Sequence, residues 1–185
     1  TETGSAKSRP PAGAALLTAP SRRKLIAACK TLAAADPALE RAYEEMGVPE
    51  WRVGQPTYAA LCRLIAYQQL STKAAGTIWG RTEAMFGEAT PEAVLAADPE
   101  AIRGCGMSRP KVRHMTSIAE AVVTGALKLE RVCASDLDSA RKELVAVKGI
   151  GPWTAELFLL YSVGAMDAFP VGDVGLMEAH KLLSG

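Results

Sequence analysis

Asp173 closes the run Ala168-Phe169-Pro170-Val171-Gly172-Asp173, a Pro/Gly loop that opens a new helix. A carboxylate there has two uses. It can cap the helix, which Asp favours strongly, or it can face a reacting centre that gains positive charge. Twenty-odd residues upstream lies Leu144-Val145-Ala146-Val147-Lys148-Gly149-Ile150-Gly151-Pro152-Trp153-Thr154-Ala155. Gly149 and Gly151 allow a tight turn and close approach of another molecule. Ile150 between them can plug the turn into a core. Beyond them a helix N-terminus presents free N–H groups, which suit a phosphate, and Lys148 adds a positive charge at the same place. A plain turn between two helices is the other reading of so short a motif.

Other chemistries find little support. The four cysteines, Cys29, Cys62, Cys105 and Cys133, form no C-x-x-C pair, so neither zinc nor an iron–sulfur cluster is expected. They read as reduced, buried, small hydrophobes of a cytosolic protein. The two histidines, His114 and His180, read as ordinary surface or interface residues. Net charge is +1, so any nucleic-acid site must be local, helped by cations around Arg103, Arg109, Lys111, Arg113, Arg141 and Lys142. No apolar run is long enough to span a membrane.

The elements that must position these residues are helices. Hydrophobic residues make up 49% of the 185, Ala is abundant and strand alternation is scarce, so the fold class is all-α. Residues 1–20 read as a flexible Gly/Ala/Pro tail, and 21–185 as the helical domain. Starts are expected at Ser21, Asp36-Pro37, Pro56-Thr57, Ser71, Thr90-Pro91, Asp98-Pro99, Ser108, Ser135 or Asp136, Pro152 and Asp173. That makes about ten helices. The hairpin element spans about 136–164. The last helix reaches Gly185 with no stop signal beyond Ser184-Gly185, as a truncated domain would.

Taken in order, four segments resemble one family. Leu64-Ile65-Ala66-Tyr67-Gln68-Gln69-Leu70-Ser71, Gly104-Cys105-Gly106-Met107-Ser108 with Lys111, the Gly149-Ile150-Gly151 hairpin and the Pro170-Val171-Gly172-Asp173 loop look like the glycosylase branch of the helix-hairpin-helix superfamily. Within it they resemble the 3-methyladenine DNA glycosylase II group, over about Pro56 to Leu183. The resemblance implies a two-lobed helical fold with the active-site cleft between the lobes. It implies Asp173 as the catalytic carboxylate and Lys148, Gly149, Ile150, Gly151 and Thr154 as the grip on the DNA backbone. Gln69, with Gln68 and Leu70, would wedge into the duplex, and Trp153, Leu157 and Tyr67 would wall the base pocket.

It also implies an alkali cation, Na+ or K+, on the carbonyls of Val145, Val147 and Gly149, with no other cofactor. The strand-cutting branch carries a Lys two residues after the hairpin, where this chain has Trp153, so a monofunctional enzyme is expected. Leu157 stands where some members have an aromatic, and aromatic content is 5%, so the pocket should be open. The expected partner is double-stranded DNA with alkylated bases, bound by a monomer. The alternatives are a glycosylase for another lesion class, a non-catalytic DNA-binding module and a helical scaffold.

Overall fold

A computed structural model describes residues 20–184. The expected tail therefore lies outside the described residues except for Pro20. The described residues form eleven helices and no strand: α1 (Arg22–Ala35), α2 (Pro37–Met46), α3 (Tyr58–Tyr67), α4 (Thr72–Phe86), α5 (Pro91–Ala96), α6 (Pro99–Gly104), α7 (Arg109–Val123), α8 (Leu129–Ala134), α9 (Leu137–Val145), α10 (Pro152–Phe158) and α11 (Val174–Ser184).

Capping residues start these helices where the sequence puts them. Ser21, Thr57 and Ser71 each accept a hydrogen bond from the N–H three residues on. Asp36 accepts from both Ala38 and Leu39, with Pro37 at the first helical position. Ser108 is the exception, since it makes no side-chain cap. Helix α8 is absent from the expected starts. It begins after Lys128 with no side-chain cap, so no local signal marks it.

The core is built around α3, whose Leu61, Cys62, Ile65 and Ala66 are fully buried. Met115 and Ile118 of α7 and Phe158 of α10 join it, and Tyr58 of α3 donates its hydroxyl to the Met115 carbonyl at 2.9 Å. Helix α3 thus packs on α4, α7 and α10, and α10 packs on α9. At its end α10 widens into a π-helical turn, Leu159–Val163, closed by Gly164 in the left-handed region. The carbonyl of Tyr161 in this turn accepts the N–H of Gly54 at 2.7 Å. Helix α2 contacts both α1 and α11, and Arg41 donates to the Leu183 carbonyl at 2.7 Å. Of α1 and α2, only Leu25 is buried. All four cysteines are free thiols.

Candidate DNA-binding cleft and its carboxylate

A cleft of about 1400 Å³ opens where the end of α3, the start of α7, the start of α10 and the loop before α11 converge. Tyr67, Gln68, Gln69, Leu70, Gly151, Trp153, Thr154, Leu157 and Asp173 all line it. Residues distant in sequence are therefore gathered at one site. Lys148, Gly149 and Ile150 do not line it, and Lys148 borders a separate hollow of about 590 Å³.

Asp173 does both things a carboxylate there could do. One oxygen, Oδ1, accepts the N–H of Leu176 at 3.0 Å and so caps α11. The other, Oδ2, accepts the indole N–H of Trp153 at 2.7 Å. The indole, helped by the backbone donors, holds the carboxyl below its usual range against the opposing effect of burial. The carboxyl is ionised at neutral pH. The sequence reads Trp153 only as a pocket wall, and the structure makes it the partner of Asp173 as well. A Cβ on Gly175 would lie 3.1 Å from Oδ1, so that glycine leaves the carboxylate room.

The loop carrying Asp173 is tied to α10. Glu156 pairs with Arg141 of α9 and accepts the N–H of Phe169 at 2.8 Å. Arg141 also reaches Asp138 at 2.9 Å and the Asp167 carbonyl at 3.4 Å. Arg141 is therefore a brace rather than a free cation for DNA. Arg103 likewise pairs with Glu100, and the Lys111 ammonium is engaged by two backbone carbonyls.

The two hairpin glycines have different reasons. Gly149 has φ +101°, and a Cβ there would fall 2.5 Å from the Cβ of His114, so the protein's own packing demands glycine. Gly151 has an ordinary φ of −82°, and a Cβ there would meet nothing within 4 Å. Its neighbourhood is the open cleft. As the residue before α10, Gly151 offers no side chain to the N–H groups of the first turn.

Two of the residues expected to grip the backbone turn their side chains inward. Thr154 is 1% exposed and its hydroxyl accepts from Gln68 Nε2 at 2.9 Å, so its side chain is spent inside the protein. Ile150 is 3% exposed, and its N–H goes to the Val147 carbonyl at 3.0 Å. Its side chain is the plug expected of it. That bond also takes one lone pair of the Val147 carbonyl, one of the three expected around an alkali cation.

The Gln68-Gln69-Leu70 turn divides its labour. Gln68 is held inward by Thr154, against its expected part in the wedge, while Gln69 and Leu70 are exposed. Gln69 has φ +56°, the one positive φ outside glycine among the described residues. A residue with a Cβ pays roughly 1–2 kcal/mol for that conformation. Lys111 fixes the turn: its ammonium donates to the carbonyls of Ala66 at 2.8 Å and Gln68 at 2.7 Å. Burial lowers its pKa.

His114, expected as a surface or interface residue, stands at the border of the cleft. It lies against Gly149 and leaves its buried Nδ1 without a hydrogen-bond partner. Burial, then Arg113 and Lys148, lower its pKa. Arg52, Arg63 and Tyr161 complete the cleft, and Arg63 sits 5.5 Å from the ring centre of Tyr67. No sequence motif marks these three. They arrive by tertiary packing.

Residues 62–185 match the family described as HhH-GPD superfamily base excision DNA repair protein, and the chain belongs to that family. It is 34% identical over 133 residues to DNA-3-methyladenine glycosylase 1 of Schizosaccharomyces pombe, covering 68% of this chain and 57% of that one. A crystal structure of a DNA-3-methyladenine glycosidase from Bacillus halodurans superposes with a TM-score of 0.70 at 36% identity, covering 84% of this chain and 73% of that one. A 3-methyladenine DNA glycosylase of Schizosaccharomyces pombe in complex with abasic DNA superposes with a TM-score of 0.75 at 30% identity, covering 84% and 81%. The chain spans about half the length of the curated relatives it matches. No described helix is long and apolar enough to cross a membrane.

Proposed function

We propose that this protein is a monofunctional DNA N-glycosylase that removes alkylated purines of the 3-methyladenine and 7-methylguanine type, leaving an abasic site. The observation that carries this reading is the ionised Asp173, held by Trp153 on the wall of an open cleft beside the start of α10.

That arrangement supports the following chemistry. A base inside a duplex must leave the stack before it can be cut, at a cost of a few kcal/mol that is least for a damaged base. Gln69 and Leu70 fill the gap. Gly151 and the free N–H groups of α10 hold a phosphate near the lesion. The bond from sugar to base then breaks through an oxocarbenium-like transition state. The Asp173 carboxylate stabilises that charge and orients the attacking water. Because it caps α11 and accepts the indole N–H, it is aimed before substrate arrives.

A purine alkylated at N3 or N7 is already cationic and leaves readily, so no strong general acid is required. Trp153 keeps its Nε1 on Asp173 and offers its ring to the base. Stacking a cation on such a ring contributes roughly 0.5–2 kcal/mol. Leu157 and Tyr67 flank it. The lysine in the cleft, Lys111, is engaged by two carbonyls, which supports hydrolysis without a Schiff base. The carbonyls of Val145, Val147 and Gly149 remain the proposed seat of an alkali cation, since the end of α9 leaves carbonyl lone pairs there. Helices α1, α2 and α11 are read as part of a second lobe, and the molecule as a monomer.

The test is excision from methylated duplex DNA by the wild-type chain and Asp173→Asn. The variant should bind DNA yet release base at least about 100-fold more slowly. Equal activity in the variant, or a borohydride-trapped adduct in the wild type, would overturn the reading.

A further inference from the structure

We propose that Lys111 is the positioning residue of the wedge, holding the Gln68-Gln69 turn open toward the duplex by binding the end of α3. The proposal rests on the glycosylase reading and concerns a lysine of the cleft whose ammonium is engaged by two backbone carbonyls.

Lys111 is the third residue of α7. A cation in the first turn of a helix is opposed by that helix's dipole. Its ammonium is instead spent on α3, where it donates to the carbonyls of Ala66 and Gln68 at 2.8 and 2.7 Å. Those carbonyls belong to the end of a helix, which lacks internal donors and favours positive charge. The placement is thus unfavourable for α7 and favourable for α3.

The turn after α3 is where this support counts. The chain turns at Gln68, and Gln69 enters the left-handed region with φ +56°. Two weak backbone bonds close the turn, Gln68 N–H to Ile65 at 3.3 Å and Leu70 N–H to Tyr67 at 3.4 Å. Gln68 is anchored again through its side chain on Thr154 at 2.9 Å. Without Lys111 the Gln68 carbonyl loses a charge-assisted partner, and the strained conformation of Gln69 loses its main support. Gln69 and Leu70 would then no longer be presented as a rigid pair.

The test uses the full chain with Lys111→Met, which keeps the stem, and Lys111→Arg, which keeps the donors. In the free protein, amide exchange at Gln68 and Leu70 should accelerate in Lys111→Met and stay near wild type in Lys111→Arg. On a duplex with an abasic analogue beside 2-aminopurine, the rise in fluorescence on binding should be lost in Lys111→Met and largely restored in Lys111→Arg. On methylated DNA, the maximal single-turnover rate should fall roughly tenfold or more, while affinity for undamaged duplex changes less than about twofold. Unchanged exchange in Lys111→Met overturns the proposal. So does faster exchange with full unstacking and excision, which would leave Lys111 a merely structural residue. If the wild type excises nothing, the glycosylase reading fails, and the exchange and fluorescence arms still decide the role of Lys111.

Discussion

At the scale of single residues, the Trp153–Asp173 bond has a measurable consequence. The indole N–H is the main reason the carboxyl sits below the usual carboxylate range. Replacing Trp153 with Phe removes the donor and keeps a ring, so the Asp173 pKa should rise toward the ordinary value of about 3.9. Carboxyl-carbon NMR titration reads this directly; an unchanged value would mean that the backbone donors of Gly175 and Leu176 set it. The same shift fixes the sign for stability. A carboxyl depressed in the folded state contributes stability above its unfolded pKa, and loses that contribution as pH falls through the folded value. The wild type should therefore lose more on acidification than Trp153→Phe does, the difference developing as pH falls through the ordinary carboxylate range toward the depressed folded value.

At the scale of elements, the hairpin separates what folding needs from what binding needs. Gly149→Ala forces a Cβ into His114 at a positive φ and should destabilise by roughly 2 kcal/mol or more in urea unfolding. Gly151→Ala meets open space and should unfold within about 0.5 kcal/mol of wild type, yet bind duplex DNA severalfold more weakly. Equal losses of stability would refute the distinction. Much of this architecture could be read in advance, because Ser21, Asp36, Thr57 and Ser71 announce helix starts through their own local bonds. Helix α8 has no such announcement, and the π-helical turn coincides with a bond donated to the Tyr161 carbonyl by the Gly54 N–H, over a hundred residues away. The candidate site divides likewise. Asp173 and the hairpin sit in local motifs, whereas Lys111 and His114 gain their places from contacts between α7 and the distant α3 and hairpin.

At the scale of the whole molecule, a net charge of +1 makes any hold on DNA depend on a few local groups. The logarithm of affinity against the logarithm of salt should fall with a slope of roughly −2 to −4, and Lys148→Ala should flatten it by about one. Anisotropy titrations at several salt concentrations measure both; a much steeper slope would place the contact surface elsewhere. Structurally, α10 carries both ends of the candidate machinery. Gly151 stands at its head, and one turn further on Glu156 clasps Phe169, four residues before Asp173. The two ends are jaws on one bar, so the cleft is a caliper of fixed gauge. Its setting is shared with α11, which Asp173 caps, so a change at either helix shifts the span that a nucleotide must fit.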